Sequence, residues 1–388
     1  MHILQVTPYY PPAYAYGGIP RIVNGLSHAL TQLGHQVSVL TTDVYDQKSR
    51  VQSGFRKDQQ VQVWTVSNWS NRLAFQQQLF LPRLQSPILD DIAKTSPIDI
   101  IHLHGHRHLL NNLVLHWAKK HQIPYVFTAN GTLRRHEQKV QFKRIWDKLI
   151  SGHIPFEANA CIAVSDKDYQ IHLDWGISSA RLHTIPNGLD LTEFTNLPVK
   201  GEFKRTMKIP PQASLLVYLG RISPRKGVEH LVQAFQRLER PNLHLVIAGS
   251  DMGGLSPAKA IANQHPNIYF LDTIEGPQRL SLLQDADIVI YPSKNEIFGL
   301  VPFEALMTGT PTIVADDCGC GSLIRQSGGG RLISYGDVDG LVQEINNLLN
   351  DPDRCRDMVA KGQDYIQKHL DFNIVAQQHA TLYTTLLS

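Results

Sequence analysis

Two cations in one short loop are the first candidates for chemistry in this 388-residue chain. Arg221 and Lys226 lie between Gly220 and Gly227, after an apolar run and before a stretch with helical spacing. The planar guanidinium and the point charge of the ammonium can converge on a phosphate at the start of the helix. The alternative is a pair of solvated surface cations. The loop lacks the Gly-Lys-Ser/Thr ending of a Walker motif, so an NTPase of that type is not predicted.

Two glutamates are spaced so that they can address separate parts of one elongated ligand. Glu296 lies in the loop after a predicted strand that ends at Tyr291, and Glu304 lies on the next predicted helix. Pro302 suits the first turn of that helix, and the Glu304 side chain should tilt back toward the helix N-terminus. The alternative for Glu304 is an ordinary first-turn carboxylate that interacts favourably with the helix dipole.

A glycine pair near the N-terminus is a third candidate. Gly17 and Gly18 follow the first predicted strand and precede a helix, where backbone N–H groups can approach an anion. The spacing is not GxGxxG, so the dinucleotide-binding fingerprint is absent. The alternative is a flexible connection in a loop rich in proline and tyrosine.

Polar residues also end two predicted strands of the N-terminal half. The tract IHLHGHRH, residues 101–108, contains four histidines that could ligate a metal, because imidazole is a common zinc ligand. We expect instead that they face a cleft or solvent, and no metal site is predicted. Asn130 ends the next strand, where its amide can hold a hydroxyl or a carbonyl but cannot act as a base near neutral pH.

Strands alternate with helices along the chain, which predicts mainly parallel sheets covered by helices on both faces. Apolar runs bounded by turn residues predict the strands, and apolar residues at helical spacing predict the helices. The strands predicted in the first half are 3–7, 36–41, 99–103, 124–128 and 160–164, with helices over 22–33 and 110–121. Those predicted in the second half are 214–219, 244–248, 268–271, 287–291 and 310–315, with a helix over 228–238.

The fold class predicted is α/β, with two doubly wound Rossmann-like domains that face each other across a cleft. The pattern breaks after Pro186, and the stretch 191–213, which contains several prolines and a glycine, is interpreted as a linker. The domains are therefore predicted over 1–190 and 214–368. Open parallel sheets bind ligands beyond the carboxyl ends of their strands, which is where the candidate residues lie.

Composition and charge exclude several classes of protein. With 42% apolar and 18% charged residues, the chain can bury enough surface to be globular. The 37 basic and 34 acidic side chains leave a formal charge of +3, too small to imply a nucleic-acid-binding protein. The four cysteines lack zinc-ribbon spacing and are too few for a secreted disulfide framework. No signal peptide or membrane span is predicted, and a cytoplasmic location is expected.

The stretch 134–150 is basic and amphipathic. Phe142, Ile145, Trp146 and Leu149 are spaced to form one apolar face of a helix, surrounded mainly by lysine and arginine. Such a helix suits peripheral contact with anionic lipid at the inner face of a membrane, or with a polyprenyl-diphosphate acceptor. The alternative is that the apolar face packs inside the N-terminal domain and the charges are solvated.

Taken in order, these motifs resemble those of the GT-B-fold retaining glycosyltransferases of the group 1, or family 4, type. The resemblance spans nearly the whole chain and depends on four elements, which are Gly17-Gly18, Pro186-Asn187-Gly188-Leu189-Asp190, Gly220-Arg221 with Lys226-Gly227, and Glu296 with Glu304. Residues 369–388 also resemble the family's C-terminal helix, which returns to pack on the N-terminal domain.

The resemblance implies a nucleotide-sugar donor, either a UDP-sugar or a GDP-sugar, and no metal or other cofactor. Arg221 and Lys226 match the positions that hold the diphosphate. Glu304 matches the ribose-binding carboxylate, and Glu296 matches the acid that contacts the donor sugar. The other matches are the N–H groups of Phe298, Gly299, Leu300 and Val301 near the donor, the glycines Gly17 and Gly18 over the diphosphate, and the sugar or acceptor residues His104 and Asn130.

Two positions depart from the family pattern. Asn130 stands where many relatives have a histidine, so the group that accepts the proton of the attacking hydroxyl is not identified. Asp272 stands where relatives usually have glycine near the nucleobase pocket, so the nucleobase of the donor is not identified.

These features predict a retaining hexosyltransferase that moves a hexosyl group from a nucleoside-diphosphate sugar to a hydroxyl acceptor. The predicted catalytic residues are Glu296, Arg221 and Lys226. The acceptor expected is a saccharide or a polyprenyl-linked saccharide, in the biosynthesis of a surface polysaccharide. Two alternatives stay open, which are an isomerase of the nucleotide-sugar 2-epimerase type and a non-catalytic nucleotide-sugar binder.

Overall fold

A computed structural model describes residues 1–83, 87–134 and 140–388 of the chain, apart from the side chains of Val140 and Phe142. These residues form two compact units. Unit 1 comprises Met1–Gly188 and Phe372–Ser388, and unit 2 comprises Leu189–Asp371. Each unit is an α/β structure with a mostly parallel sheet, which confirms the predicted fold class.

Unit 1 is built on a sheet that has eight strands within the described ranges. They are His2–Val6 (β1), Gln36–Thr42 (β2), Gly54–Asp58 (β3), Val61–Val66 (β4), Ile100–His104 (β5), Tyr125–Thr128 (β6), Ala160–Ala163 (β7) and Leu182–Thr184 (β8). Their order is β3-β4-β2-β1-β5-β6-β7-β8, and only the β3–β4 pair is antiparallel among these described pairs. All five residues of β1 and all five of β5 are buried, so the middle of the sheet is covered on both faces.

Helices cover this sheet with faces whose apolar residues recur at helical spacing. In unit 1 they are Ile19–Gln32 (α1), Asn71–Gln77 (α2), Ile88–Thr95 (α3), Leu109–His121 (α4), Val140–Trp146 (α5), Ile154–Glu157 (α6) and Asp166–Asp174 (α7). In α1, for example, Val23, Leu26 and Leu30 are buried. Helix α5 continues directly into a π-helical turn over Asp147–Ser151.

Unit 2 has a fully parallel sheet in the order β11-β10-β9-β12-β13-β14. Its strands are Ser214–Leu219 (β9), Leu243–Ala248 (β10), Ile268–Leu271 (β11), Ile288–Tyr291 (β12), Thr312–Ala315 (β13) and Gly330–Ile333 (β14). Its helices are Glu202–Thr206 (α8), Val228–Gln236 (α9), Leu255–Ala262 (α10), Gly276–Asp285 (α11), Val301–Met307 (α12), Gly319–Ser327 (α13), Val338–Asn350 (α14) and Pro352–His369 (α15). The carboxyl ends of β9 and β12 are adjacent because these two strands pair at the centre of the sheet.

The C-terminal helix Phe372–Leu387 (α16) belongs to unit 1, where it packs on α1. The ring of Phe372 occupies the space that a side chain at two glycines would need. A Cβ atom would lie 2.1 Å from the ring at Gly25 and 2.3 Å from it at Gly188. Tyr383, farther along the helix, is fully buried in the same core. Because these two glycines have no Cβ atom, the helix can pack closely against the rest of unit 1.

The stretch predicted as a linker, 191–213, is packed structure that belongs to unit 2 and not a free connection. It contains α8, and its apolar residues Phe203 and Ile209 are buried in the core of that unit. The carboxylate of Asp285 accepts hydrogen bonds from the backbone N–H groups of Gly201 and Lys204. The linker interpretation was wrong because the prolines and glycine were given more weight than these apolar anchors.

Candidate functional site

The loop between β9 and α9 positions the two predicted phosphate-binding cations. Gly220 and Gly227 at its ends have φ angles of +146° and +67°, which lie in the region that favours glycine. A Cβ atom at Gly227 would lie 2.3 Å from the carbonyl oxygen of Pro292, in the loop after β12. The backbone of Gly227 therefore approaches the neighbouring loop closely, and this approach brings Lys226 to the residues that follow β12.

Lys226 and Glu296, which were predicted separately, form an ion pair. The Lys226 ammonium also donates a hydrogen bond to the Tyr291 hydroxyl oxygen at 3.0 Å. That hydroxyl in turn donates to the Glu296 carboxylate at 3.0 Å. The three side chains thus connect the carboxyl ends of β9 and β12 at a single point.

Glu296 is held in its ionised form. Burial alone would raise the pKa of this carboxyl, but the Lys226 ammonium and the Tyr291 hydroxyl lower it to about 2. About a quarter of its side chain (26%) is exposed, so a ligand can reach it. At neutral pH, Glu296 can therefore accept hydrogen bonds from hydroxyl groups, and it has no proton to donate as a general acid.

Arg221 is exposed at the start of the same loop. Its carbonyl oxygen accepts a hydrogen bond from the Tyr218 hydroxyl at 2.8 Å, which fixes the backbone at this point. Its guanidinium makes no hydrogen bond or ion pair with another described residue. The side chain is therefore available to an anion, and its charge also helps to lower the pKa of Glu296.

Glu304 lies in the first turn of α12, as predicted, but it is buried. Its carboxylate forms an ion pair with Arg279 of α11. Neither Arg279 nor Tyr291 was predicted as a site residue. A signal existed only for Tyr291, because it ends the strand that precedes Glu296. Nothing in the sequence spacing of Arg279 connects it with Glu304.

The loop from Phe298 to Val301 is held against the same group of residues. Gly299 has a φ angle of +74°, and a Cβ atom there would lie 3.0 Å from the Tyr291 ring and 3.2 Å from the Cys320 sulfur. The N–H of Gly319 donates to the Glu296 carbonyl oxygen at 2.8 Å. Leu300 precedes α12 and Val301 begins it. The glycine and the start of α13 therefore fix the backbone around Glu296.

The glycine pair Gly17-Gly18 lies in unit 1. Gly17 has a φ angle of +105°, and Gly18 is the residue before the first turn of α1. The N–H of Gly17 donates to the Tyr14 carbonyl oxygen at 2.9 Å. This N–H group is therefore used inside the loop and is not directed to a ligand in this conformation.

The four histidines of 101–108 are buried in unit 1, so the expectation that they face solvent or a cleft was wrong. The His104 Nε2 atom lies 2.6 Å from the Gln5 side-chain oxygen. The His102 ring lies 2.7 Å from both the Thr128 and the Tyr383 hydroxyl oxygens. Residues two apart on a strand share a face, and α16, which contributes Tyr383, covers this one. No group of three or more metal-ligating side chains occurs in the described parts of the chain.

Asn130, two residues after the end of β6, has a left-handed φ angle of +49°. Its side-chain oxygen and nitrogen are both buried, and neither has a hydrogen-bond partner in the described chain. A buried polar group without a partner is costly, so this amide is suited to a polar ligand that completes its hydrogen bonds.

The basic stretch 134–150 is only partly described, because Arg135, Glu137 and Lys139 and the side chain of Phe142 lie outside the described residues. The predicted apolar face is divided: Trp146 is buried, whereas Ile145 is 58% and Leu149 73% exposed. Asp147 is buried and binds the guanidinium of Arg107 through two hydrogen bonds of 2.9 Å. Burial would raise the pKa of Asp147, but His106 and Arg107 lower it to about 2.

Comparisons with known proteins identify the family. A family model described as glycosyl transferases group 1 matches residues 199–365, and one described as Glycosyltransferase Family 4 matches residues 16–193. A glycogen synthase of Mycobacterium tuberculosis is 27% identical over 99% of this chain and 94% of its own length.

The solved structures that resemble this chain share its fold over nearly their whole length. Sucrose-phosphate synthase from Thermosynechococcus elongatus has a TM-score of 0.77 at 21% identity, over 100% of this chain and 99% of its own. Anabaena Alr3699/HepE, solved in complex with UDP-glucose, has a TM-score of 0.73 at 18% identity, over 99% of this chain and 100% of its own. With family matches in both halves and a GT-B fold, the chain belongs to the group 1 glycosyltransferases of the family 4 type.

Proposed function

We propose that this glycosyltransferase moves a hexosyl group from a nucleoside-diphosphate sugar to a hydroxyl acceptor with retention of anomeric configuration. The observation that carries the proposal is the group formed by Lys226, Tyr291 and the ionised Glu296 beside the exposed Arg221. A pair of cations next to a hydrogen-bond-accepting carboxylate suits a ligand in which a diphosphate adjoins a sugar. The UDP-glucose complex of Alr3699/HepE is consistent with such a donor.

The two cations have the main catalytic role in this proposal. When the bond between the anomeric carbon and the phosphate oxygen breaks, negative charge develops on the leaving diphosphate. Arg221 and Lys226 stabilise that charge, so no divalent metal is required for this purpose. Glu296 and the N–H groups of the loop 298–301 hold the donor sugar, and Glu304 accepts hydrogen bonds from the ribose.

The acceptor oxygen attacks the anomeric carbon on the same face of the sugar from which the diphosphate leaves. Its proton passes to the leaving phosphate oxygen, because the Asn130 amide can orient a hydroxyl but cannot accept its proton. Glu296 is paired with Lys226 and holds the sugar, so no covalent glycosyl-enzyme intermediate is assigned to it. The buried His104 would act on the acceptor only through its neighbours.

Product analysis tests the proposed function. The full chain is incubated with labelled UDP-glucose or GDP-mannose, with and without saccharide and polyprenyl-linked acceptors, and the products are identified by NMR. We expect a glycoside with the anomeric configuration of the donor, formed only with an acceptor and lost in Glu296→Ala. An epimerised donor formed without acceptor would support the isomerase, and binding without any product would support the non-catalytic binder.

We propose a cytoplasmic location with peripheral contact at the inner face of the membrane. Arg144 and Lys148 line an open groove of about 480 Å³ and make no hydrogen bond or ion pair with another described residue. Ile145 and Leu149 are exposed beside them, an arrangement suited to an anionic lipid surface.

The four cysteines are free thiols, as expected in a reducing compartment. Among the described helices, none is long and apolar enough to cross a bilayer.

Vesicle co-sedimentation tests this contact. Vesicles that contain phosphatidylglycerol should bind the chain, and vesicles of phosphatidylcholine alone should bind it much less, because each basic residue near an anionic surface contributes about 1 kcal/mol. The Ile145→Ser/Leu149→Ser variant should lose most of the binding, whereas Leu113→Ser, at an exposed leucine of α4, should keep it. Equal binding of the double variant and the wild type would contradict the proposal.

A further inference from the structure

Arg279 of α11 is a buried arginine held between two glutamates from different segments of unit 2. One is Glu304 of α12, and the other is Glu193 in the turn Leu191–Phe194. The side chains of Arg279 and Glu304 are 5% and 4% exposed, whereas that of Glu193 is 43% exposed. The guanidinium therefore connects a carboxylate in the interior with one at the surface.

This burial has to be compensated. A charge removed from water is strongly destabilising unless it is paired, and each of these two buried side chains compensates the other. Burial would lower the pKa of Arg279, but Glu304 and Glu193 raise it above the ordinary value, so the guanidinium is charged at neutral pH.

The guanidinium also restricts the orientation of Glu304, because its Nη1 atom pairs with the Glu304 Oε1 atom while its Nη2 atom donates to Glu193. Its planar fork binds a carboxylate in a defined direction, which a flexible ammonium does not. An ionised carboxylate has about four lone-pair sites, and one arginine uses at most two of them. Glu304 can therefore bind Arg279 and accept hydrogen bonds from hydroxyl groups at the same time.

We propose that Arg279 is a positioning residue that holds Glu304 oriented toward the ribose of the donor, and that it thereby sets the preference for ribose over 2′,3′-dideoxyribose. The inference rests on the proposed function, in which Glu304 accepts hydrogen bonds from the ribose hydroxyls. Arg279 itself does not contact the nucleotide. Its contribution appears as a difference between nucleotides that have these hydroxyls and nucleotides that lack them.

The test compares UDP and GDP with their 2′,3′-dideoxy counterparts by isothermal titration of the full chain. For the nucleotide that binds, the wild type should prefer the ribose form by about 10- to 100-fold, the range expected for hydrogen bonds to a charged group. In Arg279→Gln this preference should fall to about threefold or less, because Glu304 loses its fixed orientation. Arg279→Lys should give an intermediate preference.

Two variants serve as controls. Arg237→Gln changes a surface arginine paired with the exposed Asp339 and should keep the wild-type preference. Glu193→Gln removes only the charge of the exposed partner of Arg279 and should also keep most of the wild-type preference for the ribose nucleotide. If Arg279 had only a structural role, its loss would weaken the binding of ribose and dideoxy nucleotides equally, and the ratio of their dissociation constants would be unchanged.

The outcomes separate this inference from the function on which it rests. A wild-type preference retained in Arg279→Gln overturns the inference alone. If Arg279→Gln does not fold, the ratio in Arg279→Lys decides: a lowered preference supports the role, and an unchanged one overturns it. If neither UDP nor GDP binds the wild type, the proposed function fails and the inference fails with it.

Discussion

Arg221→Ala is expected to lower kcat/KM for glycosyl transfer by about 10²–10³-fold, equivalent to about 3–4 kcal/mol of transition-state stabilisation. The loss follows from the charge that develops on the leaving diphosphate, which the guanidinium would stabilise. Because Arg221 is exposed and makes no hydrogen bond or ion pair with another described residue, its removal should leave the fold intact. Initial rates at several donor concentrations measure the effect.

Two comparisons sharpen this prediction. Arg225→Ala changes the same residue type in the same turn, at an exposed position, and should alter kcat/KM less than threefold. Lys226→Ala should lose at least as much as Arg221→Ala, because it also leaves Glu296 without its cation. If Arg221→Ala and Arg225→Ala have equal kcat/KM values, Arg221 does not stabilise the leaving group.

Unit 1 is expected to lose much of its stability between pH 7 and pH 5. Burial, helped by neighbouring histidines, lowers the pKa of His104 to about 3 and that of His108 to about 4. Burial also lowers the pKa of His379 to about 3 and that of His102 well below its ordinary value. In the unfolded chain, each should titrate at about 6.5.

The stability of unit 1 falls with pH because the folded and unfolded states bind different numbers of protons. Below pH 6.5 the unfolded chain binds protons that the folded unit excludes, so acid favours unfolding. Each histidine with a folded pKa well below 5 costs about 2 kcal/mol between pH 7 and pH 5. His104, His108 and His379 together cost about 6 kcal/mol, which is comparable with the whole stability of a domain. Asp147, whose pKa is lowered to about 2, adds to the loss only at lower pH, where a carboxyl group of the unfolded chain becomes protonated.

Urea denaturation followed by tryptophan fluorescence measures this loss for unit 1, because all five tryptophans lie in that unit. His379→Asn should reduce the difference between pH 7 and pH 5 by one histidine's share, about 2 kcal/mol. His183→Asn, at an exposed position, should leave the difference unchanged. Equal stability of the wild type at both pH values would contradict the burial of these histidines.

The central strands could be predicted from the sequence because they are continuous apolar runs between turn residues. β1, β2, β5 and β7 agree with their predictions to within one or two residues at each end. β3 was missed because it is a polar, largely exposed edge strand, GFRKD, that carries no apolar run. β4, VQVWTV, does alternate, and this alternation could have identified it.

The loops that carry the site could be predicted from the sequence, but most contacts between their side chains could not. Lys226 and Glu296 lie close together because their loops follow strands of one parallel sheet, whose carboxyl ends share an edge. The pairing of Arg279 with Glu304 depends on how α11 packs against α12, which no sequence spacing specifies. The burial of His104 depends on α16, whose residues lie more than 250 positions later in the chain, so the local pattern could not indicate it.

The central claim is that Arg221 and Lys226 hold a diphosphate next to Glu296, and the melting temperature measured with nucleoside diphosphates tests it most directly. At 100 times its dissociation constant, UDP or GDP should stabilise the wild type by about 2.7 kcal/mol, a shift of about 5–10 °C for a unit of this size. The Arg221→Ala/Lys226→Ala variant should show almost no shift at the same concentration. An equal shift in the double variant, or no shift of the wild type with either nucleotide, would contradict the claim.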